Sequence, residues 1–394
     1  MRNEQMKTQF LRHFGLEAQW IFSAPGRTEL SGNHTDHQRG CVLAAAVNLD
    51  SRAAVSKNGD NCIRVLSEGY PLCTVSLPVG EPAEAEYGTT LSLIRGVAAA
   101  MQPLAKELCG FDCYVTSTVL PGSGLSSSAA FEVLMGVIMN TLWDCGCSAP
   151  KIAQIGQYAE NVYFGKPCGL MDQMASSVGS AVAIDFADPD SPTLTPLALD
   201  LEALGYDLCI IDSGADHAGL TDLYAAIPGE LKAVCKYFGV DVLRQLPEER
   251  FYSELPRLRS LVGDRAILRS VHCYEENKRV QKQTEALQRG DFDEFLRLVT
   301  ASGSSSWRLL QNVIPEGHTR MQELAFALTL AEKLLDGQGA VRVHGGGFAG
   351  TIQAFVPHSL LETFRSRMEA VLGEGSCHVL SIRKEGGILM EECK

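Results

Sequence analysis

Positive charge is scarce and scattered in this chain. Its 34 lysines and arginines face 47 aspartates and glutamates, a formal net charge of −13, and no stretch gathers the basic residues together. That excludes the basic stripe by which proteins hold nucleic acids or anionic membranes, so an anionic ligand has to be bound by local features. Long apolar runs are missing as well. The longest, Cys41 to Val47, is far too short to cross a bilayer, and the first residues, MRNEQMKTQFLRHFG, lack the apolar centre of a secretory signal. These absences give the expectation of a cytoplasmic protein with neither nucleic acid nor membrane as partner. The 13 cysteines form no CxxC pair, and the closest two, Cys145 and Cys147, have no histidine at zinc-finger spacing. Reduced, mostly packing thiols are expected. No internal repeat, low-complexity tract or charged linker interrupts the 394 residues, and that length with 45% hydrophobic residues favours two domains with a large buried core.

What is present is glycine, concentrated in three distant segments: APGRTELSGNHTDH at 24–37, LPGSGLSSSAA at 120–130 and VHGGGFAGT at 343–351. Glycine lets backbone approach a bulky anion closely. Ahead of the middle segment, FDCYVTSTVL alternates Phe111, Cys113 and Val115 against Asp112, Tyr114 and Thr116, the period of a strand. After Ser126–Ser128, AAFEVLMGVIMNTLW has helical spacing. Strand, glycine loop, helix is the order a phosphate site needs. Further helices are expected at 150–164, 221–238, 274–289, 292–301 and 317–335, and strands at 41–56, 181–186, 207–212, 340–344 and 351–356. The turn-rich DPDSPTLTP at 188–196 marks a boundary region, which gives domains of 1–205 and 206–394.

The middle segment is neither a Walker A loop, since no Lys-Ser/Thr follows its glycines, nor a GxGxxG dinucleotide turn. Gly122 and Gly124 free the backbone to wrap phosphate oxygens, and the N–H groups from Ser126 to Ala129 emerge from a helix start. The plainer alternative is a serine-capped helix after a tight turn.

The segments together resemble the GHMP kinase superfamily, named for its galacto-, homoserine, mevalonate and phosphomevalonate kinases, and within it the galactokinase family. Residues Gly26 to Gly40 are similar to the signature GRVNLIGEHTDYNGG, and Pro167-Cys168-Gly169-Leu170-Met171-Asp172-Gln173 resembles PCGIMDQ. The likeness runs from 22 to 356. It implies an α+β, two-lobed fold: an N-terminal lobe like domain 2 of ribosomal protein S5, a C-terminal ferredoxin-like lobe, and ATP and a sugar meeting in the cleft as small-molecule partners of a monomer or weak homo-oligomer.

By the same resemblance, Asp172 is the general base and Arg27 the guanidinium that stabilises the developing oxyanion and the transferring phosphoryl group. A structural ion pair is the plainer reading of those two. Asn33, His34, Asp36, Gly169 and Tyr224 fall at sugar-binding positions. Gly122, Ser123, Gly124, Leu125, Ser126, Ser127, Ser128, Ala129 and Gly346 fall at nucleotide-binding positions. Ser128 and Glu160 would hold Mg²⁺, whose hardness suits oxygen ligands. Relatives that sense sugar without turnover usually lose part of the serine–alanine run, which is intact here, and the HTD triplet with Met171-Asp172-Gln173 favours a sugar over a mevalonate- or homoserine-type acceptor.

The likeness breaks at three signature positions. The family's glutamate before the histidine, at the C6 hydroxyl, is Asn33; its tyrosine is His37; its asparagine is Glu29. Loss of charge next to C6 keeps galacturonate or N-acetylgalactosamine as alternatives to galactose, because an amide can donate to a C6 carboxylate that a glutamate would repel. His37 or Arg39 could supply a positive partner, although a solvated loop residue is the plainer reading of Arg39. Thr90 and Leu93 stand where relatives carry an aromatic pair ahead of Arg95-Gly96-Val97, so the adenine pocket is weakly marked. His13, His217, His272, His318 and His358 have no partner motif and are expected to be structural or exposed.

Overall fold

A computed structural model describes residues 3–120, 122–216 and 219–393. Pro121 of the glycine loop and His217 lie outside the described residues. The first half runs α1 (Asn3–Phe14), β1 (Trp20–Ser31), β2 (Cys41–Lys57), β3 (Cys62–Ser67), β4 (Cys73–Ser76), α2 (Thr90–Met101), β5 (Phe111–Ser117), α3 (Ser127–Leu142), α4 (Ala149–Tyr158), α5 (Met171–Val178), β6 (Ala181–Asp185) and β7 (Thr193–Leu197). The second half runs α6 (Leu201–Leu204), β8 (Tyr206–Asp212), α7 (Thr221–Phe238), α8 (Glu248–Ser253), α9 (Leu255–Gln288), α10 (Phe292–Ser305), α11 (Glu323–Leu335), β9 (Ala340–Val343), β10 (Thr351–Pro357), α12 (Leu361–Leu372), β11 (Cys377–Leu380) and β12 (Ile388–Glu392).

Two sheets organise these elements. The first has the order β12-β1-β2-β5-β3-β4, with β6 joined to β2 and β7 to β6. Besides β1, the long β2 serves two partners: Ser51–Lys57 pairs with β5, and Cys41–Ala45 pairs with β6. The second sheet is antiparallel, in the order β11-β8-β10-β9. Expected strands at 41–56, 181–186, 207–212, 340–344 and 351–356 correspond to β2, β6, β8, β9 and β10. The expected helix at 221–238 is α7, and its end is set by Gly239, which takes φ 70°.

Several expectations differ in extent, among them the helix read at 317–335, which is α11 and begins only at Glu323. The helix read at 150–164 is α4 followed by a single π turn, Ala159–Tyr163. The one read at 274–289 is the end of α9, a longer segment broken at Gly263, whose φ 81° and ψ 168° are not helical. The glycine-rich 24–31, for which no strand was expected, is the second half of β1, with nearly all of it buried. Pairing with β2 on one edge and burial on both faces outweigh the weak strand preference of Pro25 and Gly26.

A division near 205 falls between β7 and β8, where the chain leaves the first sheet, and β12 then returns to pair with β1. The two sheets share one apolar core. Leu30, Leu43, Val119 and Leu125 from the first side cluster with Leu208, Ile210, Phe295 and Phe355 from the second. The sheets are thereby fixed against each other with the glycine segments at their junction.

Candidate functional site

Arg27 leaves β1 at this junction and makes three contacts at once. Its Nε and Nη2 reach Asp172 Oδ1, each at 2.7 Å, and its Nη1 donates to the carbonyl of Gly124. Its backbone N–H donates to Leu125 O at 3.0 Å. One buried guanidinium thus ties the turn of α5 to the glycine loop, bringing together residues 145 positions apart in the chain. Asp172 spends only Oδ1 on Arg27. Its side chain keeps 31% of its surface exposed, so Oδ2 is open to a ligand.

The turn that carries Asp172 is pressed against Asp36. A Cβ added at Gly169 would lie 1.8 Å from Asp36 Oδ2, so only glycine allows the two segments to meet. Asp36 uses Oδ1 for the His37 N–H at 2.9 Å. Next to it, His34 sits at φ 57° and places Nε2 3.0 Å from Gly346 O. A carbonyl only accepts, so the proton is assigned to Nε2, and Nδ1 is left a bare, buried acceptor without a partner. Burial, reinforced by His37, pushes the pKa of His34 down to about 4. A buried acceptor of this kind fits a ligand hydroxyl.

Two carbonyls of the GGG run face the sugar signature and the third faces Tyr224. Gly345 O accepts from Asn33, Gly346 O from His34 and Asn312, and Gly347 O from the hydroxyl of Tyr224 at 2.7 Å. Gly346 was expected at the nucleotide. It lies under the Tyr224 ring, where a Cβ would come within 2.8 Å of Cε1. Burial raises the Tyr224 pKa to about 12, so its phenol stays protonated.

Asn33 also differs from expectation. Its Nδ2 donates to Gly345 O (2.6 Å) and Glu29 Oε1 (3.1 Å), and its Oδ1 accepts from Asn312 (2.8 Å) and Ser306 (3.2 Å). That exhausts the side chain's hydrogen-bonding capacity, so Asn33 has nothing left for a sugar. The reason is its neighbour: the carboxylate at Glu29 is committed to the fully buried Arg342 at 2.7 Å, and Asn33 packs onto that pair.

The glycine loop has the conformation of an anion nest. Gly122 and Gly124 take φ 75° and 74°, and Ser126 takes φ 55°. Ser126 stands at the N-cap of α3 but makes no capping hydrogen bond, so the plain capped helix is not what forms, and the first-turn N–H groups are left for another acceptor. Ser127, Ser128 and Ala129 form that first turn.

Glu132, one turn beyond Ser128, is fully buried and accepts from Gln173 Nε2 at 2.9 Å; the same amide donates to Glu160 Oε2 at 2.9 Å. Burial and then the Glu160 charge push the Glu132 carboxyl well up. Glu160 Oε1 pairs with Lys166 at 3.1 Å. Among the described residues no three carboxylate, histidine or thiol groups form a metal cage. A hydroxyl and one carboxylate are nevertheless the protein donors that a Mg²⁺ carried on nucleotide phosphates requires. Glu160 has such a carboxylate, but Lys166 and Gln173 occupy its two oxygens and would have to give one up to a cation.

Several contributors carry no local signal. His272, expected to be structural or exposed, is buried with Nε2 2.9 Å from Asn33 O and Nδ1 2.9 Å from Ser305 Oγ. Glu276 accepts from Ser31 Oγ and Gly32 N, both at 3.1 Å, and from Ser302. Burial opposes its charge, yet Arg279 and its other neighbours hold its pKa down at about 2. Helix α9 thus clamps the signature loop from behind. In the adenine region, Leu93 is buried in the core while Thr90 is exposed at the start of α2.

Residues 8–57 match the family model described as the galactokinase galactose-binding signature, and residues 92–180 match the GHMP kinases N terminal domain. A galactokinase from Actinobacillus pleuropneumoniae is 33% identical over 370 residues, 93% of this chain and 92% of the relative. The chain belongs to the galactokinase family. A galactokinase from Streptomyces coelicolor is 32% identical over 356 residues, covering 87% of this chain and 86% of that one. The fold agrees: a Lactococcus lactis galactokinase complexed with galactose superposes with a TM-score of 0.83 at 24% identity, over 98% of this chain and 99% of that one. A mevalonate kinase superposes at 0.65 with 14% identity, over 93% and 99%. The expected α+β, two-lobed GHMP kinase architecture is the one observed, and the stretch matching the galactokinase signature contains Asn33 and His34, which meet Gly345 and Gly346.

Proposed function

We propose that this protein transfers the γ-phosphoryl group of ATP to the anomeric hydroxyl of galactose, giving galactose 1-phosphate and ADP. The observation that carries the proposal is Arg27 touching both Asp172 and the Gly124 carbonyl, because it puts a base and a phosphate cradle on the two sides of one cation.

Phosphoryl transfer asks mainly for in-line positioning and charge stabilisation. The open Oδ2 of Asp172 accepts the hydroxyl proton as the O–P bond forms. Arg27 faces the charge that develops on the sugar oxygen and on the transferring group. Asp36 Oδ2 and His34 Nδ1 accept hydroxyl protons of the sugar, Gly169 lets the Asp172 turn come close, and the Tyr224 ring walls the site through Gly346. The N–H groups from Gly122 to Ala129, with the hydroxyls of Ser127 and Ser128, take the phosphates. Mg²⁺ held by Ser128 and Glu160 would neutralise phosphate charge.

A second reading is favoured by the exchange at 29 and 33. The carboxylate that relatives place at 33 stands here at 29 and is neutralised by Arg342, leaving an uncharged wall beside the signature histidine. Such a wall does not repel a C6 carboxylate, so galacturonate is the alternative acceptor, with N-acetylgalactosamine behind it.

The deciding experiment offers galactose, N-acetylgalactosamine, galacturonate, glucose and arabinose with Mg-ATP and locates the product phosphate by phosphorus NMR. Galactose with phosphate on C1 is expected. Preferential turnover of galacturonate would select the second reading, and phosphate on another carbon would remove Asp172 from its assigned role.

A further inference from the structure

Behind the glycine loop runs a line of buried polar side chains that phosphoryl transfer as described does not use. Gln353 Nε2 donates to Thr28 Oγ1 at 2.6 Å. Thr28 Oγ1 lies 3.1 Å from His344 Nε2, and His344 Nδ1 lies 3.0 Å from Thr351 Oγ1. Thr351 Oγ1 donates to the carbonyl of Ser123 at 3.0 Å. Thr28, His344, Thr351 and Gln353 are all buried, so water completes none of these links. The line crosses from β1 to the second sheet and back to the loop.

Counting protons gives it a direction. Thr351 has one hydroxyl proton, and the Ser123 carbonyl can only accept it. The oxygen of Thr351 must then accept from His344, which places the imidazole proton on Nδ1. A neutral ring so protonated has a bare Nε2, which accepts from the hydroxyl of Thr28, and Thr28 in turn accepts from Gln353. A cationic ring would leave the Thr28 proton with no acceptor. Burial, reinforced by the charges of Arg27 and Arg342, holds the His344 pKa well below the ordinary histidine range and keeps the ring neutral. Every donor in the line therefore points toward Ser123, and links arranged in one direction polarise each other.

Ser123 is the first of three consecutive carbonyls held from this side. Arg27 Nη1 holds Gly124 O, and the Arg27 N–H holds Leu125 O at 3.0 Å. In a trans peptide the carbonyl and the following N–H point in opposite directions. Fixing these three carbonyls inward turns the N–H groups of Gly124, Leu125 and Ser126 the other way, as an anion nest requires. The line also explains why residue 124 is glycine: a Cβ there would lie 2.8 Å from His344 Nδ1 and 3.3 Å from Thr351 Oγ1.

We propose that His344 and Thr351 are positioning residues for nucleotide binding, holding the Ser123 peptide in the orientation that presents the loop's N–H groups to phosphate. The inference rests on the kinase reading above.

The test compares Thr351→Val, Thr351→Ser and His344→Phe with the full-length wild type. Affinity for ADP and for a non-hydrolysable ATP analogue is titrated calorimetrically without sugar, and KM is measured for ATP and for galactose. Thr351→Val keeps the side chain's volume but removes the last donor; it should weaken nucleotide binding about tenfold, as expected for an unpaired buried acceptor, and leave sugar affinity within twofold. His344→Phe should do the same, and Thr351→Ser should restore wild-type values. Unchanged nucleotide affinity in Thr351→Val, equal losses for nucleotide and sugar, or failure of serine to rescue would each overturn the inference. Should Thr351→Val not fold, His344→Phe removes the donor that fixes the Thr351 hydroxyl, and undiminished nucleotide affinity there would overturn it equally. Because titration needs no turnover, a wild type that binds ADP but phosphorylates no sugar defeats the proposed function and leaves this inference standing. A wild type that binds no nucleotide defeats both.

Discussion

Asp172 and His34 show how neighbours decide what a side chain can do. Asp172 is half committed: Arg27 takes one oxygen and the other is open. Replacing it with asparagine keeps the shape and one acceptor but removes the proton sink. Steady-state kinetics of Asp172→Asn should show kcat reduced about 100-fold or more with the sugar KM within a few-fold, the pattern of an interaction made in the transition state. A near-normal kcat would leave Asp172 as a structural partner of Arg27. His34 is depressed from 6.5 to about 4. Above about pH 6.5 both folded and unfolded chains carry it neutral, and it contributes nothing to pH dependence. As pH falls below that value, the unfolded chain takes a proton that the folded chain refuses until about pH 4, so stability is lost across this window. Denaturant unfolding at pH 7 and at about pH 5 should show His34→Asn losing about 2 kcal/mol less than the wild type between the two conditions. An identical loss in both proteins would mean that His34 is protonated in the fold. The residue types at both positions were legible in the motifs; which atom each keeps free was not, because that depends on Gly346 and Arg27, far along the chain.

At the scale of elements, the turns between strands and helices carry the site, and glycine sets how closely they approach. The loop ahead of α5 touches Asp36 through Gly169, where a methyl group would overlap Oδ2. Gly169→Ala should therefore raise the sugar KM more than tenfold while unfolding costs no more than about 1–3 kcal/mol, the range for overpacking a single site. Equal KM values in mutant and wild type would show that the turn can shift without consequence. The strand, loop and helix around the phosphate cradle were readable from period and breakers, since β5 and α3 form where the period announces them, although β5 is buried on both faces. β1 was not readable in its second half, because Pro25 and Gly26 look like loop residues and become strand only by pairing with β2. Nor could the clamp by α9 be read: His272, Glu276 and Asn277 recur at helical spacing, but their partners Asn33, Gly32 and Cys41 lie more than 230 positions away.

At the scale of the whole molecule, the core joining the two sheets is expected to make them unfold as one unit. Phe355 of β10 packs against Phe292 and Phe295 of α10 and belongs to the cluster that includes Leu30 and Leu43 of the first sheet. Phe355→Ala should destabilise the protein by about 3–5 kcal/mol, and calorimetry should show one transition moved down as a unit. Separation into two peaks would mean that the sheets unfold independently. The sequence by itself determined the chemistry on offer: a carboxylate, a guanidinium, a serine-lined loop and the family to which they belong, because these are stated in residue types at short spacing. It also settled which faces are apolar, since hydrophobic period is local. Only the tertiary structure decided which of these groups meet and which are used up. Asn33 was taken up by Glu29, Gly345, Asn312 and Ser306, Gly346 was set against His34 and Tyr224, and His344 was set behind the glycine loop. Each outcome is a competition among hydrogen-bond partners brought together by burial of a common core, and no local pattern records who wins it.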